Sequence, residues 1–349
     1  MRKAVIPRIW VSDADNLFGS IRRLSMLDFL EVVFPVSGVK TNVIIPLLVA
    51  MVVSFFTSMG GVSGAFLLLP FQVSILNYTS PSVSGTNFIF NIVAIPSGVY
   101  RYIKEGRMAW PLTWVVILGT LPGVFIGYFL RVKYLPDPRS FKLFVGCVLF
   151  YIGLRLLYEF TGKANAQSTA NKAVEKRFKE RSDEIKRQQK SRVASGLPAE
   201  AMVKTVSVSL DRIDYEFWGE RFSYSTIGMF ILAFIVGIIG GTYGIGGGAI
   251  IAPFCVAVFH LPVYSIAGAA LMGTFITSVA GVFFYSVVPA GPGLSTSPDW
   301  LLGFLFGIGG TVGVYMGARA QKFVPQRYIK LVLGVLIFFL AVRYITQYF

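Results

Sequence analysis

Six of the nine residues from Gly240 to Gly248 are glycine: Gly240, Gly241, Gly244, Gly246, Gly247 and Gly248. Inside a helix each would cost about 1 kcal/mol relative to alanine, so the stretch reads as a break between two helical pieces. It lies in a run, residues 222–298, that holds no Asp, Glu, Lys or Arg. Where a helix restarts after such a break, its first N–H groups have no partner within the helix and its dipole is positive. Backbone alone can then hold an anion, without a buried cation. Gly61, Ser63 and Gly64 form a shorter stretch of the same kind, to which the Ser63 hydroxyl adds a donor.

Polar side chains on the segments that follow the two breaks are the next candidates. Thr86, Asn87 and Asn91 interrupt a run of Phe, Ile and Val, and Thr274, Thr277 and Ser278 occupy the later segment. Hydroxyls in membrane helices commonly bond back to the carbonyl four residues earlier. Asparagine amides are less easily satisfied that way, which makes Asn87 and Asn91 the stronger candidates. The expected substrate-lining set is Gly61, Ser63, Gly64, Thr86, Asn87, Asn91, Tyr243, Gly244, Gly246, Gly247, Gly248 and Thr274. The competing reading is that small residues let helices cross closely. It is strongest for Gly119, Gly123 and Gly127, and for Gly309, Gly313 and Gly317, which recur every four residues. Gly244-x-Gly246-x-x-Ala249 matches a dinucleotide fingerprint only in letters, since it has no preceding strand, no βαβ unit around it and no acidic residue about 20 positions on.

The elements that position these residues follow from composition. Of 349 residues, 54% are hydrophobic and 14% charged, against roughly 25% charged in average soluble chains. Eight apolar segments approach the length that a hydrocarbon core of about 30 Å requires: residues 43–60, 83–102, 110–130, 141–160, 226–240, 263–288, 300–320 and 328–348. Two shorter apolar pieces, 63–77 and 246–259, lie between them. The net charge of +15 fits cytoplasmic loops and lipid headgroups better than nucleic acid. Cys147 and Cys255 both lie in apolar segments and the single histidine is His260, so neither a disulfide framework nor a Cys/His metal site is expected. A membrane enzyme would need a polar cluster that these segments do not supply, and no cofactor is implied.

Four regions emerge. Residues 1–41 carry Leu17, Ile21, Leu24, Leu27, Leu30 and Val33 at helical spacing, which predicts an amphipathic helix lying on the membrane surface or on the protein's own loops. Residues 42–160 form a first membrane unit. Residues 161–221 form a charged cytoplasmic insert, with a solvated helix expected over 172–192 and one or two short strands over 204–218. Residues 222–349 form a second membrane unit.

The two units repeat one another. Moved onto residue 244, residue 61 carries Gly61–Ala65 onto Gly244–Gly248 and Pro70-Phe71 onto Pro253-Phe254. Further on Trp110 meets Trp300, and Gly119, Gly123 and Gly127 meet Gly309, Gly313 and Gly317. The fold class expected is an all-α polytopic membrane protein of two repeats of about four to five segments each. If the short pieces cross, the halves are inverted; if they re-enter, the halves are parallel. Inversion puts the basic loop 101–107 inside and the uncharged loop 286–298 outside, as the positive-inside rule asks. It also puts the basic loop 131–142 and the N-terminus outside, against that rule.

The motif G-I-G-G-G-x-x-x-x-P-F at Gly244–Phe254, its weaker copy at Gly61–Phe71, the small-residue stretches Ser84-Gly85-Thr86 and Ala267-Gly268-Ala269, and P-G-x-x-x-G at Pro122–Gly127 resemble the TauE/SafE sulfite-exporter family. The resemblance covers residues 42–160 and 222–349. The first glycine motif departs from it, with Ser63 and Ala65 in place of glycines, and the insert is longer than the family implies. It implies a secondary transporter in the bacterial cytoplasmic membrane, with the lipid bilayer and a small sulfur-containing oxyanion (sulfite or an organosulfonate) as its partners. A carrier of another small anion, and a scaffold or sensor acting through the insert, are the alternatives. Exposed aromatics in lipid resemble those of a homodimer interface, so the oligomeric state stays open.

Overall fold

The computed structural model describes residues 30–59, 62–104, 106–160, 180, 202–217, 219–290, 295–320 and 326–348. A hairpin of β1 (Glu31–Val33) and β2 (Lys40–Asn42) precedes helices α1 (Ile44–Met59), α2 (Ala65–Ser74), α3 (Ser82–Lys104), α4 (Trp110–Phe129) and α5 (Pro138–Phe160). Three antiparallel strands follow, β3 (Lys204–Val208), β4 (Arg212–Phe217) and β5 (Glu220–Ser225). Then come α6 (Thr226–Tyr243), α7 (Ile251–Phe259), α8 (Val263–Val287), α9 (Trp300–Ala320) and α10 (Gln326–Thr346). Four stretches, 110–134, 226–243, 265–287 and 300–317, are long and apolar enough to cross a membrane unaided. The chain is a helical membrane protein.

Local chemistry sets the boundaries. Pro111 opens α4, where a missing N–H costs nothing. Arg101 and Lys104 close α3, favourably placed against its negative end. The Ser225 side chain caps α6 by accepting from the Gly228 N–H at 3.2 Å. Gly244 ends α6 at φ 84°, a left-handed position that glycine takes without a Cβ penalty.

Helix directions can be read from what each glycine faces. Gly119, Gly123 and Gly127 of α4 face Phe230, Phe234 and Ile238 of α6 in the same order, so these helices run parallel. Gly309, Gly313 and Gly317 of α9 face Leu47, Met51 and Phe55 of α1, again in parallel. Gly303 and Gly307 face Ile89 and Val93, which sets α3 parallel to α9 and hence to α1. In contrast Gly98 faces Leu271, Gly268 faces Tyr102 and Gly281 faces Phe88, so α3 and α8 are antiparallel. So are α5 and α10, with Gly146 against Ile345 and Gly153 against Phe338. Because α1 and α3 point the same way, the segment carrying α2 returns across the thickness between them.

Strands β3–β5 gather at the end where α3 finishes and α8 starts. The Val203 N–H donates to the Gly106 carbonyl at 2.9 Å, and the Tyr215 hydroxyl pairs with Ser265 Oγ at 2.7 Å. Strand β4 buries Ile213, Tyr215 and Phe217 on one face, the alternation expected of a half-covered strand. Two strands, β3 and β4, form over 204–218 as expected, and the turn at Gly219, with φ 72°, folds residues 220–225 back onto β4 as a third.

The helix predicted through Leu30 and Val33 does not extend that far. Residues 31–33 are a strand paired with 40–42, and Gly38 at φ 68° closes the turn between them. The β-branched pair Val32-Val33 before Pro35 favours that outcome. The part of that prediction on residues 1–29, and the helix expected over 172–192, lie outside the described residues except Glu180, which is helical.

Candidate functional site

Two helix breaks meet in the interior, and α3 stitches them together. Asn87 Nδ2 donates to the Ala65 carbonyl in the first turn of α2 and to the Gly244 carbonyl after α6, both at 2.9 Å. One helical turn on, Asn91 Nδ2 donates to the Ile245 carbonyl at 2.9 Å and to Ser278 Oγ at 3.1 Å. The Ser63 hydroxyl donates to Asn91 Oδ1 at 2.7 Å, and the Ala65 N–H donates to Ser63 Oγ at 3.3 Å. Tyr243 donates across to the Phe66 carbonyl at 2.9 Å, and Ser84 to the Tyr243 carbonyl at 3.3 Å. Asn87, Asn91, Ser84 and Tyr243 are fully buried. Non-helical backbone at membrane depth needs such partners, because lipid offers none.

The second break has its own support. After Gly246 at φ 83°, a short 3₁₀ turn, Gly247–Ile250, leads into α7. The Gly247 N–H donates to Thr277 Oγ1 at 3.1 Å. Glycine is needed here for close approach as well as for dihedral freedom. A Cβ on Gly244 would lie 2.5 Å from Ser84 Cα, one on Gly247 2.6 Å from Thr120 Cβ, and one on Gly248 2.5 Å from the Thr274 nitrogen. The helix-crossing role therefore holds at Gly244–Gly248 together with the break.

The expected residues separate into groups. Ser63, Asn87, Asn91, Tyr243 and Gly244 share the buried cluster, with Gly64 at the start of α2 and Gly246, Gly247 and Gly248 alongside. Gly61 lies outside the described residues. Thr86 faces elsewhere: its hydroxyl bonds the Ser82 carbonyl at 3.0 Å and pairs with Tyr78 at 2.9 Å, while its oxygen accepts the Asp299 N–H at 2.8 Å. Thr274 satisfies its hydroxyl on the Ala270 carbonyl of its own helix at 2.8 Å. The Ser63 hydroxyl is committed to Asn91, so in this structure it is not a spare donor. His260 is exposed and caps α7 at φ 54°, the left-handed geometry that Asn77 takes after α2 at φ 53°.

Two residues of the cluster escaped the sequence reading. Gln72 of α2 is fully buried, donates through Nε2 to Asn87 Oδ1 at 3.3 Å, and leaves Oε1 without a partner. Ser54 of α1 is fully buried with Oγ unpartnered, and a Cβ on Gly64 would lie 2.7 Å from that oxygen. A polar residue returning once inside a short apolar piece was the only signal for Gln72. Among the described residues no group of His, Cys, Asp and Glu could hold a metal ion.

Comparison with known proteins places this architecture. Over 300 residues the chain is 21% identical to a probable membrane transporter protein, YunE, of Bacillus subtilis (strain 168), covering 83% of this chain and 92% of that one. A second relative, the probable membrane transporter protein YdhB of the same organism, is 26% identical over 119 residues, 34% of this chain and 46% of that one. No solved structure matches significantly. The model of the sulfite exporter TauE/SafE family matches residues 46–344, and the chain belongs to that family of membrane transporters.

Proposed function

We propose that the protein is a secondary carrier for small sulfur-containing oxyanions, sulfite or an organosulfonate, in a bacterial cytoplasmic membrane. The anion binds where the two helix breaks meet. The observation that carries this reading is the linkage of both breaks through Asn87 and Asn91 in a fully buried cluster without a charged side chain. Helix ends are the groups that hold an anion there; the Asn87 and Asn91 amides, whose hydrogens go to carbonyls of the breaks and to Ser278, hold those ends in place.

The two halves are read as inverted repeats of five segments. The third helices of the halves, α3 and α8, are antiparallel, and so are the fifth, α5 and α10. Equivalent helices that touch in opposite directions are related by an axis in the membrane plane, which is inversion. The matching left-handed residues that follow α2 and α7, Asn77 and His260, support the same equivalence. The end that carries the insert is assigned to the cytoplasm by its lysines and arginines, and movement of one half against the other provides alternating access.

Flux of sulfite and of a sulfonate in proteoliposomes tests the reading. Saturable, anion-dependent flux by the folded wild type is expected. Its absence for every small oxyanion offered would sink it.

A further inference from the structure

The charge state of the substrate follows from three features of the cluster. Neither stretch that builds it, residues 41–100 or 222–298, contains a Lys, Arg, Asp or Glu, and the one histidine there, His260, is exposed. Each helix N-terminus offers about half a positive charge, so the starts of α2 and of the 3₁₀–α7 segment together offset about one negative charge. Desolvation cost grows with the square of charge, so a dianion costs about four times as much to bring there as a monoanion. Those two stretches supply no positive charge for a second negative charge, and Arg131, the buried cation that follows α4, is committed to the Leu135 and Thr79 carbonyls.

Hydrogen-bond direction adds the second feature. Asn87 turns its NH₂ to two carbonyls, which fixes its Oδ1 toward Gln72. Gln72 must meet that oxygen with its own NH₂, so the free end of this relay is Gln72 Oε1, an acceptor that is buried without a donor. The third feature is Ser54 Oγ, buried beside the start of α2 and also unpartnered. Buried polar groups in native structures ordinarily have partners. A bare oxyanion oxygen suits the Ser54 hydroxyl, whereas Gln72 Oε1 calls for a hydrogen.

We infer that the site takes its anion in a singly charged form, and that it holds a proton-bearing one more tightly, with Ser54 donating to an oxyanion oxygen and Gln72 Oε1 accepting from the substrate's own hydrogen. This rests on the transport reading above. Sulfite is then carried as hydrogen sulfite, and each turnover moves one negative charge. The proton travels on the substrate, so no carboxylate relay is needed within the cluster.

The test uses the full-length wild type in proteoliposomes with three probes, sulfite, methanesulfonate and sulfate, across the pH range in which sulfite takes up its proton. Sulfite flux should follow the hydrogen sulfite fraction, falling about tenfold per pH unit once the dianion dominates. Methanesulfonate, a monoanion throughout, should show no such fall, and sulfate should be carried poorly. Gln72→Leu should lower the ratio of sulfite to methanesulfonate flux by about tenfold, as loss of one buried hydrogen bond implies. Sulfite flux that rises with pH, or sulfate carried as fast as methanesulfonate, overturns the inference while leaving the carrier reading intact. Equal loss of both fluxes in Gln72→Leu overturns the role of Gln72. Absence of flux for all three probes overturns the carrier reading and this inference together.

Discussion

Replacing Asn91 with leucine isolates the amide that joins the two breaks. The change keeps the branching and the number of heavy atoms of the side chain and removes three hydrogen bonds at once: those to the Ile245 carbonyl, Ser278 Oγ and the Ser63 hydroxyl. Hydrogen bonds between membrane helices contribute about 0.6 kcal/mol on average and up to about 1.7. Three of them therefore come to about 2–5 kcal/mol, enough to lower the midpoint of thermal unfolding by roughly 5–10 °C. Thr274→Val is the matched control, because its hydroxyl bonds only within its own helix and its loss costs less than about 1 kcal/mol. Unfolding of the two purified variants in the same detergent, followed by intrinsic fluorescence, gives the comparison. If Asn91→Leu unfolds within about 2 °C of Thr274→Val, by the same scaling, Asn91 does not hold the breaks together and the site argument fails with it.

Further outcomes can be checked separately. Gly123→Ala would put a Cβ 2.8 Å from the Ile238 nitrogen and should destabilise the α4–α6 contact by about 1–3 kcal/mol; Gly98→Ala, which meets side-chain ends alone, Val314 Cγ1 at 3.2 Å and Leu271 Cδ1 at 3.4 Å, should lose less in the same unfolding assay. Asp299→Asn disturbs a carboxylate that accepts from the Ser37 N–H and hydroxyl and from the Leu302 N–H, so limited proteolysis should cut the β1–β2 hairpin sooner. Deletion of residues 165–200 should leave flux intact if the insert is not the working part, whereas a cut reaching Tyr215 removes its bond to Ser265 and should lower stability. The Arg221 guanidinium and the Ser207 hydroxyl hold the Asp214 carboxyl below the usual aspartate range. A depressed folded value means that the stabilisation is present above the unfolded value and lost as pH falls through the folded one. The hydrogen-exchange protection factors of β3–β5, corrected for the intrinsic pH dependence of exchange, should therefore stay constant down to the ordinary carboxylate range and fall only below it.

The sequence disclosed the membrane segments, the two breaks and the chemistry expected of them, because glycine density and the absence of charge are local signals. Asn87 and Asn91 were found for the same reason, as amides where lipid-facing residues should be. Gln72 was not, since one glutamine among Phe, Leu and Val reads as tolerated polarity until its burial is known. Ser54 was hidden further, because a serine in a membrane helix usually bonds its own backbone, and its proximity to Gly64 is a tertiary fact. Directions of donors were also illegible: Ser63 looked like a spare hydroxyl until Asn91 Oδ1 stood opposite it. The helix predicted through Val33 failed because periodicity was weighed above the turn chemistry of Pro35 to Gly38.

Arg131 decides how much the positive-inside rule weighs against inversion. In the inverted arrangement the loop after α4 faces outward and carries Arg131, Lys133, Arg139 and Lys142. The rule concerns cations that sit in water and headgroups near a membrane face. Arg131 does not sit there: it is fully buried, donates to the Leu135 and Thr79 carbonyls, and lies 3.7 Å over the Phe141 ring. Its work is to tie the end of α2 to the end of α4, which are then on the same face, as a returning α2 requires. Asp137 accepts from the Ser140 N–H and hydroxyl nearby and offsets part of the remaining charge. The loop thus counts for less against inversion than its letters suggest, and the antiparallel pairing of α3 with α8 and of α5 with α10 weighs more.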